Sequence, residues 1–309
     1  HSRKGMPSRT TTCLKIVHGS VGTSWPTGEL RRVARYPPPM DLAGISMEGV
    51  SVGGLESCLE FPHWRTAVDL GSMRRGTERY DTVCFTHAHA DHMGAIAVHL
   101  AHRGLMRLPD PTYIVHPDVA NDVEGLIATW RKLDHADLGC TVLPLEPGAT
   151  HDLGHDVRVR TFRTVHRVVS QGYVFTTRAK KLDPQYAGLE GAELGRLRKQ
   201  GVALDTFTDV DELAVTGDTR IEGVVEHADV MRARRLVLEV TFLDERVPRA
   251  KAREQGHTHL DEFVEHAEAF QNELICISHV SPRYKANEVD AILNERLPAS
   301  LRERVVWFR

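Results

Sequence analysis

Cysteine is scarce in this sequence, and the few cysteines are not paired. The five of them, Cys13, Cys58, Cys84, Cys140 and Cys276, are odd in number and form no CxxC pair. A disulfide framework needs an even set of cysteines, and a thiolate zinc site needs closely spaced pairs. Both are therefore disfavoured, and we expect a reducing, cytoplasmic setting.

A long apolar run is also missing. No stretch approaches the roughly 20 apolar residues that a membrane-spanning helix requires, and no basic segment followed by an apolar one opens the chain. We therefore expect neither a membrane segment nor a secretory signal. Residues 1–5 are interpreted as the remnant of a cloning tag. Residues 6–309, with ample apolar content for a core, are predicted to form a single domain.

The sequence has no excess of positive charge. Its net charge is −3, which argues against a nucleic-acid partner without excluding one, because local basic patches matter more than the sum. What the sequence does contain is 18 histidines. Histidine is the commonest metal ligand and a frequent general acid or base, so the question is which of these residues converge in the fold.

The order of the predicted strands and helices indicates the fold class. Short strands come first, at 14–18, 45–52, 55–61, 66–70 and 82–86. Helices and strands then alternate: helices at 92–102, 119–133, 221–233, 259–270 and 285–296, and strands at 112–115, near Val142, and at 157–162, 173–176, 212–216, 236–240, 274–278 and 305–308. The polar residues 178–211 are predicted to be a loop-rich excursion with a short helix at 190–199. This order predicts an α/β fold, an αββα four-layer sandwich.

A dense histidine motif follows the apolar strand that leads to Thr86. Residues 86–94 read THAHADHMG, with three histidines and an aspartate within six residues. Side chains two apart on an extended segment point the same way, so His87 and His89 can bind one metal ion together. Asp91 and His92 lie on the turn into a helix and can reach a second ion. Packing needs none of these side chains, so a merely polar loop is disfavoured.

Three further residues of metal-binding type follow later predicted strands. They are His166, Asp218 and His279, and each alone would be an ordinary loop residue. Together with the first motif they complete two predicted sites: His87, His89 and His166 at one ion, Asp91, His92 and His279 at the other, and Asp218 as the bridge. Imidazole and carboxylate ligands suit zinc, with Mn²⁺ or Fe²⁺ as alternatives.

With this set of residues the sequence resembles the metallo-β-lactamase superfamily, and other segments resemble its ribonuclease Z family. LEVTF at 238–242 is similar to that family's glutamate motif, GHTHL at 256–260 to its histidine motif, and HVSPRY at 279–284 to its HxSxRY signature. SQGY at 170–173 and KLDPQYAGL at 181–189 resemble the short form known from plants. The likeness covers most of the chain.

The resemblance implies the αββα fold, a homodimer, two zinc ions and cleavage of 3′-extended precursor tRNA. The products would be a 3′-hydroxyl on the tRNA and a 5′-phosphate on the trailer. The resemblance also implies that Asp91 orients the attacking water besides binding metal, and that His257, polarised by Glu239, protonates the leaving 3′ oxygen. A positioned acid is worth about 10²–10⁴ in rate when the leaving group is a poor one.

Basic and aromatic residues near these motifs are candidate substrate contacts. Lys181 and Arg253 lie in two basic clusters that would suit an RNA backbone, although solvated helix faces explain such clusters equally well. Arg283 and Tyr284 either touch the substrate or brace the loop that carries His279.

Two departures from the family keep a second function open. Residues 19–28 match the family's opening glycine-rich turn poorly, and no long inserted arm with a Gly-Pro-rich tip is evident. The alternative function is hydrolysis of small esters, such as phosphodiesters, lactones or β-lactams, without tRNA processing. A non-catalytic binding protein is disfavoured, because all seven candidate ligands are present.

Overall fold

The computed structural model describes residues 37–154 and 156–309, which form two sheets of seven strands each. Several predictions concern other residues. The tag remnant 1–5, the strand 14–18, the segment 19–28 and the rest of residues 6–36 of the predicted single domain lie outside the described part of the chain.

Strands of the first sheet lie side by side in chain order. They are β1 (Met40–Asp41), β2 (Ser46–Val52), β3 (Glu56–Phe61), β4 (Thr66–Val68), β5 (Thr82–Cys84), β6 (Thr112–Val115) and β7 (Thr141–Pro144). Strands β1 to β4 pair antiparallel, whereas β4 to β7 pair parallel. The carboxyl ends of the parallel strands therefore meet at one end of the sheet.

The second sheet also keeps the chain order. Its strands are β8 (Thr150–Gly154), β9 (Val157–Arg163), β10 (Gln171–Leu182), β11 (Asp205–Val215), β12 (Arg235–Glu239), β13 (Leu274–Ser278) and β14 (Val305–Trp307). Pairing is antiparallel from β8 to β11 and parallel from β11 to β14. The predicted final strand forms the sheet edge, as expected.

The helices of the described residues are mostly short. They are α1 (Ala90–Met93), α2 (Ile96–Leu105), α3 (Pro117–Asp134), α4 (Gly191–Lys199), α5 (Glu222–Val225), α6 (Ala228–Arg232), α7 (Arg249–Gln255), α8 (Leu260–Glu265), α9 (Ala286–Arg296) and α10 (Ala299–Arg302). The predicted helices 92–102 and 221–233 are each split in two. The elements β1, β8, α7 and α10 were not predicted. Across the described segments, every helix falls short of the length and apolar character needed to cross a membrane.

Strand residues alternate between two cores, as the two-residue period of a strand requires. Cys84 packs in the cluster between the two sheets, while its neighbour Phe85 packs with residues of α2 and α3. In the second sheet, Val237 faces the inter-sheet cluster and Leu238 packs with residues of the outer helices. Each sheet is thus covered on both faces, and the predicted αββα sandwich is confirmed.

The prediction for residues 178–211 was wrong in one respect. Strands β10 and β11 continue through this segment as a hairpin, in which Arg178 to Leu182 pair with Asp205 to Asp209. Strand β9 accompanies β10 only as far as Thr177, so the hairpin beyond it is two-stranded and largely exposed. Backbone pairing rather than burial stabilises this hairpin, and its sequence therefore lacks the alternating apolar pattern of a buried strand. The predicted short helix is present as α4.

Candidate metal centre

The candidate site forms where strands of both sheets end. His87 and His89 follow β5, and α1 then carries Asp91 and His92. His166 follows β9, Asp218 follows β11 and His279 follows β13. The structure thus brings together all seven residues that the sequence analysis singled out, from four separate segments of the chain.

One group of donor atoms consists of His87, His89, His166 and Asp218, all within 4.8 Å of one another. His89 Nδ1 lies 2.9 Å from His87 Nε2 and 3.3 Å from His166 Nε2. Asp218 Oδ2 lies 3.7 Å from His87 Nε2 and 3.9 Å from His166 Nε2. Two donors at about 2.1 Å from one tetrahedral cation stand roughly 3.4 Å apart, so these spacings fit a cation.

The second group consists of Asp91, His92 and His279. His92 Nε2 lies 3.2 Å from His279 Nε2 and 3.6 Å from Asp91 Oδ2. Asp218 Oδ1 lies 3.4 Å from His92 Nε2, so the two oxygens of this carboxylate face different groups. Asp218 is buried, and its Oδ1 has no hydrogen-bond partner among the described residues. A buried, unpartnered carboxylate oxygen between two donor groups fits a bridging cation ligand.

The protonation states of three candidate ligands suit cation binding. Burial lowers the pKa of His87 well below its usual value, and burial also lowers the pKa of His89 and of His166. These rings are therefore neutral at pH 7, with lone pairs available to a cation.

His92 differs from these three ligands: burial opposes its protonation, but the Asp218 and Asp69 carboxylates outweigh burial and raise its pKa well above the usual value. Burial opposes ionisation of Asp218, but the rings of His279 and His92 outweigh it and hold the pKa of this carboxyl well below its usual range.

Asp69 is a supporting residue that the sequence analysis missed. Its buried carboxylate accepts hydrogen bonds from the Thr86 backbone and hydroxyl, at 2.7 and 2.8 Å, and lies 2.7 Å from His92 Nδ1. The Thr86 hydroxyl in turn lies 3.0 Å from His87 Nδ1. One carboxylate therefore orients a histidine of each group. The position directly after the buried strand β4 was the available signal.

Glu239, the last residue of β12, is another buried carboxylate at the site. Its carboxylate accepts hydrogen bonds from the backbone N–H groups of Thr219, Thr241 and Thr258 at 3.0 to 3.1 Å. His257 Nδ1 lies 3.1 Å from the same carboxylate. Burial opposes protonation of His257, but the Glu239 charge outweighs it and raises the pKa of this histidine. A partly buried imidazole whose pKa is raised by a neighbouring carboxylate is suited to general acid catalysis.

Thr241 links this pair to the second donor group and was also missed. Its hydroxyl lies 2.9 Å from Glu239 Oε2 and 3.0 Å from His279 Nδ1. If His279 binds a cation through Nε2, its Nδ1 carries the proton and donates it to Thr241, whose own proton points to Glu239. Glu239 thus holds His257 directly and His279 through one hydroxyl.

His166 is fixed by the backbone at Gly256. Its Nδ1 lies 2.8 Å from the Gly256 carbonyl oxygen, which can accept a hydrogen bond from it. Gly256 has a φ of +84°, and a Cβ there would come within 2.7 Å of His166 Nδ1. Both the left-handed conformation and the close approach therefore require glycine at this position.

The four predicted substrate contacts have different environments. Lys181 lies on the two-stranded hairpin. Arg253 forms ion pairs with Glu222 and Glu262, so its charge is already matched. Arg283 is exposed, with Nη1 3.1 Å from Ser281 Oγ. The Tyr284 hydroxyl accepts a hydrogen bond from the backbone of Leu243 at 2.9 Å, which is the bracing arrangement rather than an exposed contact. Substrate binding by these four residues stays a prediction.

Comparison with solved structures defines the class of protein. The fold resembles the metallo-β-lactamase fold protein YhfI of Bacillus subtilis, with a TM-score of 0.56 at 13% identity over 84% of this chain and 93% of that one. It also resembles the short form of human tRNase Z, with a TM-score of 0.55 at 16% identity over the same shares. The protein therefore has the metallo-β-lactamase fold, with a cluster of residues suited to a divalent metal.

Sequence relatives define the family. The chain is 38% identical to tRNase Z TRZ1 of Arabidopsis thaliana over 86% of this chain and 95% of that protein. It is 36% identical to the chloroplastic tRNase Z TRZ2 of the same plant over 82% and 73%. No family model matches the chain. The chain belongs to the ribonuclease Z family and is a phosphodiester-hydrolysing enzyme. The predicted cytoplasmic setting is not tested by these likenesses.

Proposed function

We propose that this protein is an endoribonuclease that hydrolyses a phosphodiester of 3′-extended precursor tRNA with a dinuclear zinc site. The relatives named tRNase Z support the substrate. The observation that carries the proposal is the Glu239–His257 pair beside the two donor groups. Protonation of a leaving ribose oxygen requires such an acid, whereas an ester with a good leaving group does not.

Seven residues would hold the two ions. His87, His89 and His166 would bind one, Asp91, His92 and His279 the other, and Asp218 would bridge them. When bound, a pair of cations about 3.5–4 Å apart activates water and offsets charge on the phosphate. Five histidines and two aspartates suit Zn²⁺, and Mn²⁺ or Fe²⁺ could occupy the same ligands. His257 also lies near Asp218, at 3.9 Å, but its bond to Glu239 favours the acid role.

The chain's own residues would then divide the work. Asp91, partly exposed at the site, would orient the attacking water and accept its proton while binding metal. Hydrolysis breaks the bond between phosphorus and the 3′ oxygen, and His257 would deliver its proton to that oxygen. Glu239 would keep the acid oriented and charged. The expected products are a tRNA with a free 3′-hydroxyl and a trailer with a 5′-phosphate.

We also propose that the protein is a homodimer that binds precursor tRNA partly through the hairpin of β10 and β11. Lys181 on that hairpin has no carboxylate partner among the described residues, whereas Lys180 pairs with Asp205. Exposed apolar side chains on and beside two helices offer a surface for a second copy. They are Val98, Leu105 and Met106 at α2, and Leu126, Trp130 and Leu133 on α3.

The experiment that tests the proposed function compares two substrates with His257→Ala. On precursor tRNA we expect kcat to fall by about 10²–10⁴, because the leaving oxygen loses its acid. On bis(p-nitrophenyl) phosphate, whose leaving group needs no proton, we expect a change of less than about tenfold. The same experiment with exposed His102→Ala is the control. An equal loss on both substrates would remove the acid role, and with it the main argument for tRNA over small esters.

A further inference from the structure

A cavity of about 550 Å³ lies beside the candidate metal centre and shares His166 with it. Its wall includes Arg163, His116 and Glu146, together with Val168 and Val169. The volume lies within the range of pockets that bind small organic molecules. None of the four predicted substrate contacts lines this cavity, so it is a feature that the site described above does not use.

Arg163 stands out by its charge. Its guanidinium has no carboxylate partner within the described residues, and its side chain is exposed. By contrast, Arg246, Arg249 and Arg253, which precede the His257 motif in the chain, all form ion pairs. An arginine without a partner, at the rim of a phosphodiester-cleaving site, is free to bind a phosphate with two parallel hydrogen bonds.

The rest of the lining suits a nucleotide better than a free phosphate. Val168 and Val169 are about 40% exposed, at 40% and 39%, and offer an apolar surface to the face of a base. The Glu146 carboxylate would repel a bare phosphate, but it can accept a hydrogen bond from a ribose hydroxyl or a base amino group. Positive, apolar and acceptor groups thus line the same cavity.

We propose that this cavity binds a nucleotide that flanks the scissile phosphate, with Arg163 on the neighbouring phosphate and the two valines against the base. This inference rests on the proposed function. It identifies Arg163, Val168 and Val169 as substrate-binding residues that the sequence motifs do not mark. The nucleotide belongs either to the acceptor end of the tRNA or to the trailer, and both offer the same chemistry.

The test compares Arg163→Gln with Arg232→Gln in the full zinc-loaded chain. Arg232 is an exposed arginine of α6 that also lacks a carboxylate partner among the described residues. For each variant, kcat/KM is measured on precursor tRNA and on bis(p-nitrophenyl) phosphate, at several salt concentrations. Arg163→Gln is expected to lower kcat/KM on precursor tRNA, relative to kcat/KM on the small phosphodiester, about tenfold. The loss should come mainly from a higher KM for the tRNA. The variant is also expected to have a weaker salt dependence of kcat/KM on precursor tRNA, by the amount that corresponds to about one lost phosphate contact.

Product inhibition then shows whether the nucleotide in the cavity belongs to the acceptor end of the tRNA or to the trailer. Weaker inhibition of Arg163→Gln by mature tRNA places an acceptor-end nucleotide in the cavity, and weaker inhibition by a 5′-phosphorylated trailer oligonucleotide places a trailer nucleotide there. A ratio and a salt dependence equal to those of Arg232→Gln would overturn the subsite while leaving the proposed function intact. Failure of the unsubstituted chain to cleave precursor tRNA, despite turnover of the small phosphodiester, would overturn both.

Discussion

Glu239 supports two histidines of the site, so its removal would affect more than the general acid. Its carboxylate orients His257 directly and reaches His279 through the Thr241 hydroxyl. From the motifs alone, loss of Glu239 is expected to affect only the acid. The structure indicates that Glu239→Ala would also loosen a candidate metal ligand, so activity on both kinds of substrate should fall. His257→Ala is therefore the cleaner way to separate acid catalysis from the metal centre.

Thr241→Val tests this link. Valine keeps the shape of threonine but removes the hydroxyl, so His279 loses its hydrogen-bond acceptor. Loss of such a supporting contact typically costs about 10–100-fold in metal affinity. We expect a drop of that size in zinc affinity, measured by competition with a chromogenic chelator, and near-complete recovery in Thr241→Ser. Equal zinc affinity in the valine variant and the unsubstituted chain would show that Thr241 does not support His279.

The contrast between found and missed residues has a physical cause. His87, His89, Asp91 and His92 lie within one short segment, where spacing and strand geometry are readable from the sequence. Asp69 supports two of these histidines only because distant strands become neighbours. The same holds for Thr241, which supports His279. The local sequence shows only that such a residue lies at a strand end, a position that many other polar residues share.

At the scale of elements, α2 carries a buried histidine that should make the fold sensitive to acid. His99 is fully buried, and its Nδ1 lies 2.8 Å from the Tyr113 hydroxyl of β6. Burial, assisted by nearby Arg103, lowers the pKa of His99 to about 4. The unfolded chain binds a proton at this residue below about pH 6.5, whereas the folded chain does not until about pH 4. Stability should therefore fall as the pH drops through this window.

We expect His99 to account for about 2 kcal/mol of the stability lost between pH 7 and pH 5. His99→Gln should be less stable at pH 7 but should lose less on acidification, as measured by urea unfolding at both pH values in the same metal state. His102→Gln, an exposed change on the same helix, is the control and should retain the acid sensitivity. Identical pH dependence in the two variants would contradict this explanation.

The elements that were predicted least well are those held by backbone pairing. Strands with buried faces, such as β6 and β13, were predicted at their observed bounds because the apolar pattern marks them. The hairpin ends of β10 and β11 carry exposed polar side chains. These segments are strands because they pair with each other, and not because one face is buried. The ion pairs of Arg253 could not be predicted from the sequence either, because its partners Glu222 and Glu262 lie on other elements.

For the whole molecule, the proposed dimer gives a measurable prediction. Leu105 is 83% exposed and Leu133 is 65% exposed. Exposure of such apolar surface to water is unfavourable, and a second copy would bury it. We expect a mass in solution of twice the 34.6 kDa of one chain, measured by sedimentation equilibrium. Leu105→Glu with Trp130→Glu should weaken self-association, whereas Leu55→Glu, an exposed apolar residue elsewhere, should not. A single-chain mass for the unsubstituted protein at all concentrations would contradict the dimer.

The net charge of −3 is compatible with RNA binding, because charge is unevenly paired over the surface. Arg178 and Lys180 of the hairpin are matched by Asp209 and Asp205, while Arg163 and Lys181 have no such partner among the described residues. RNA would then be positioned by cations that lack a carboxylate partner rather than by the net charge, and its binding should weaken as the salt concentration rises.

The central claim is tested most directly by incubating the zinc-loaded chain with a 3′-extended precursor tRNA and mapping the new ends at nucleotide resolution. We expect one cut beside the discriminator base, leaving a 3′-hydroxyl on the tRNA and a 5′-phosphate on the trailer, and we expect no cut with Asp218→Ala. An intact precursor, in a sample that turns over bis(p-nitrophenyl) phosphate, would contradict the claim and assign this centre to small esters.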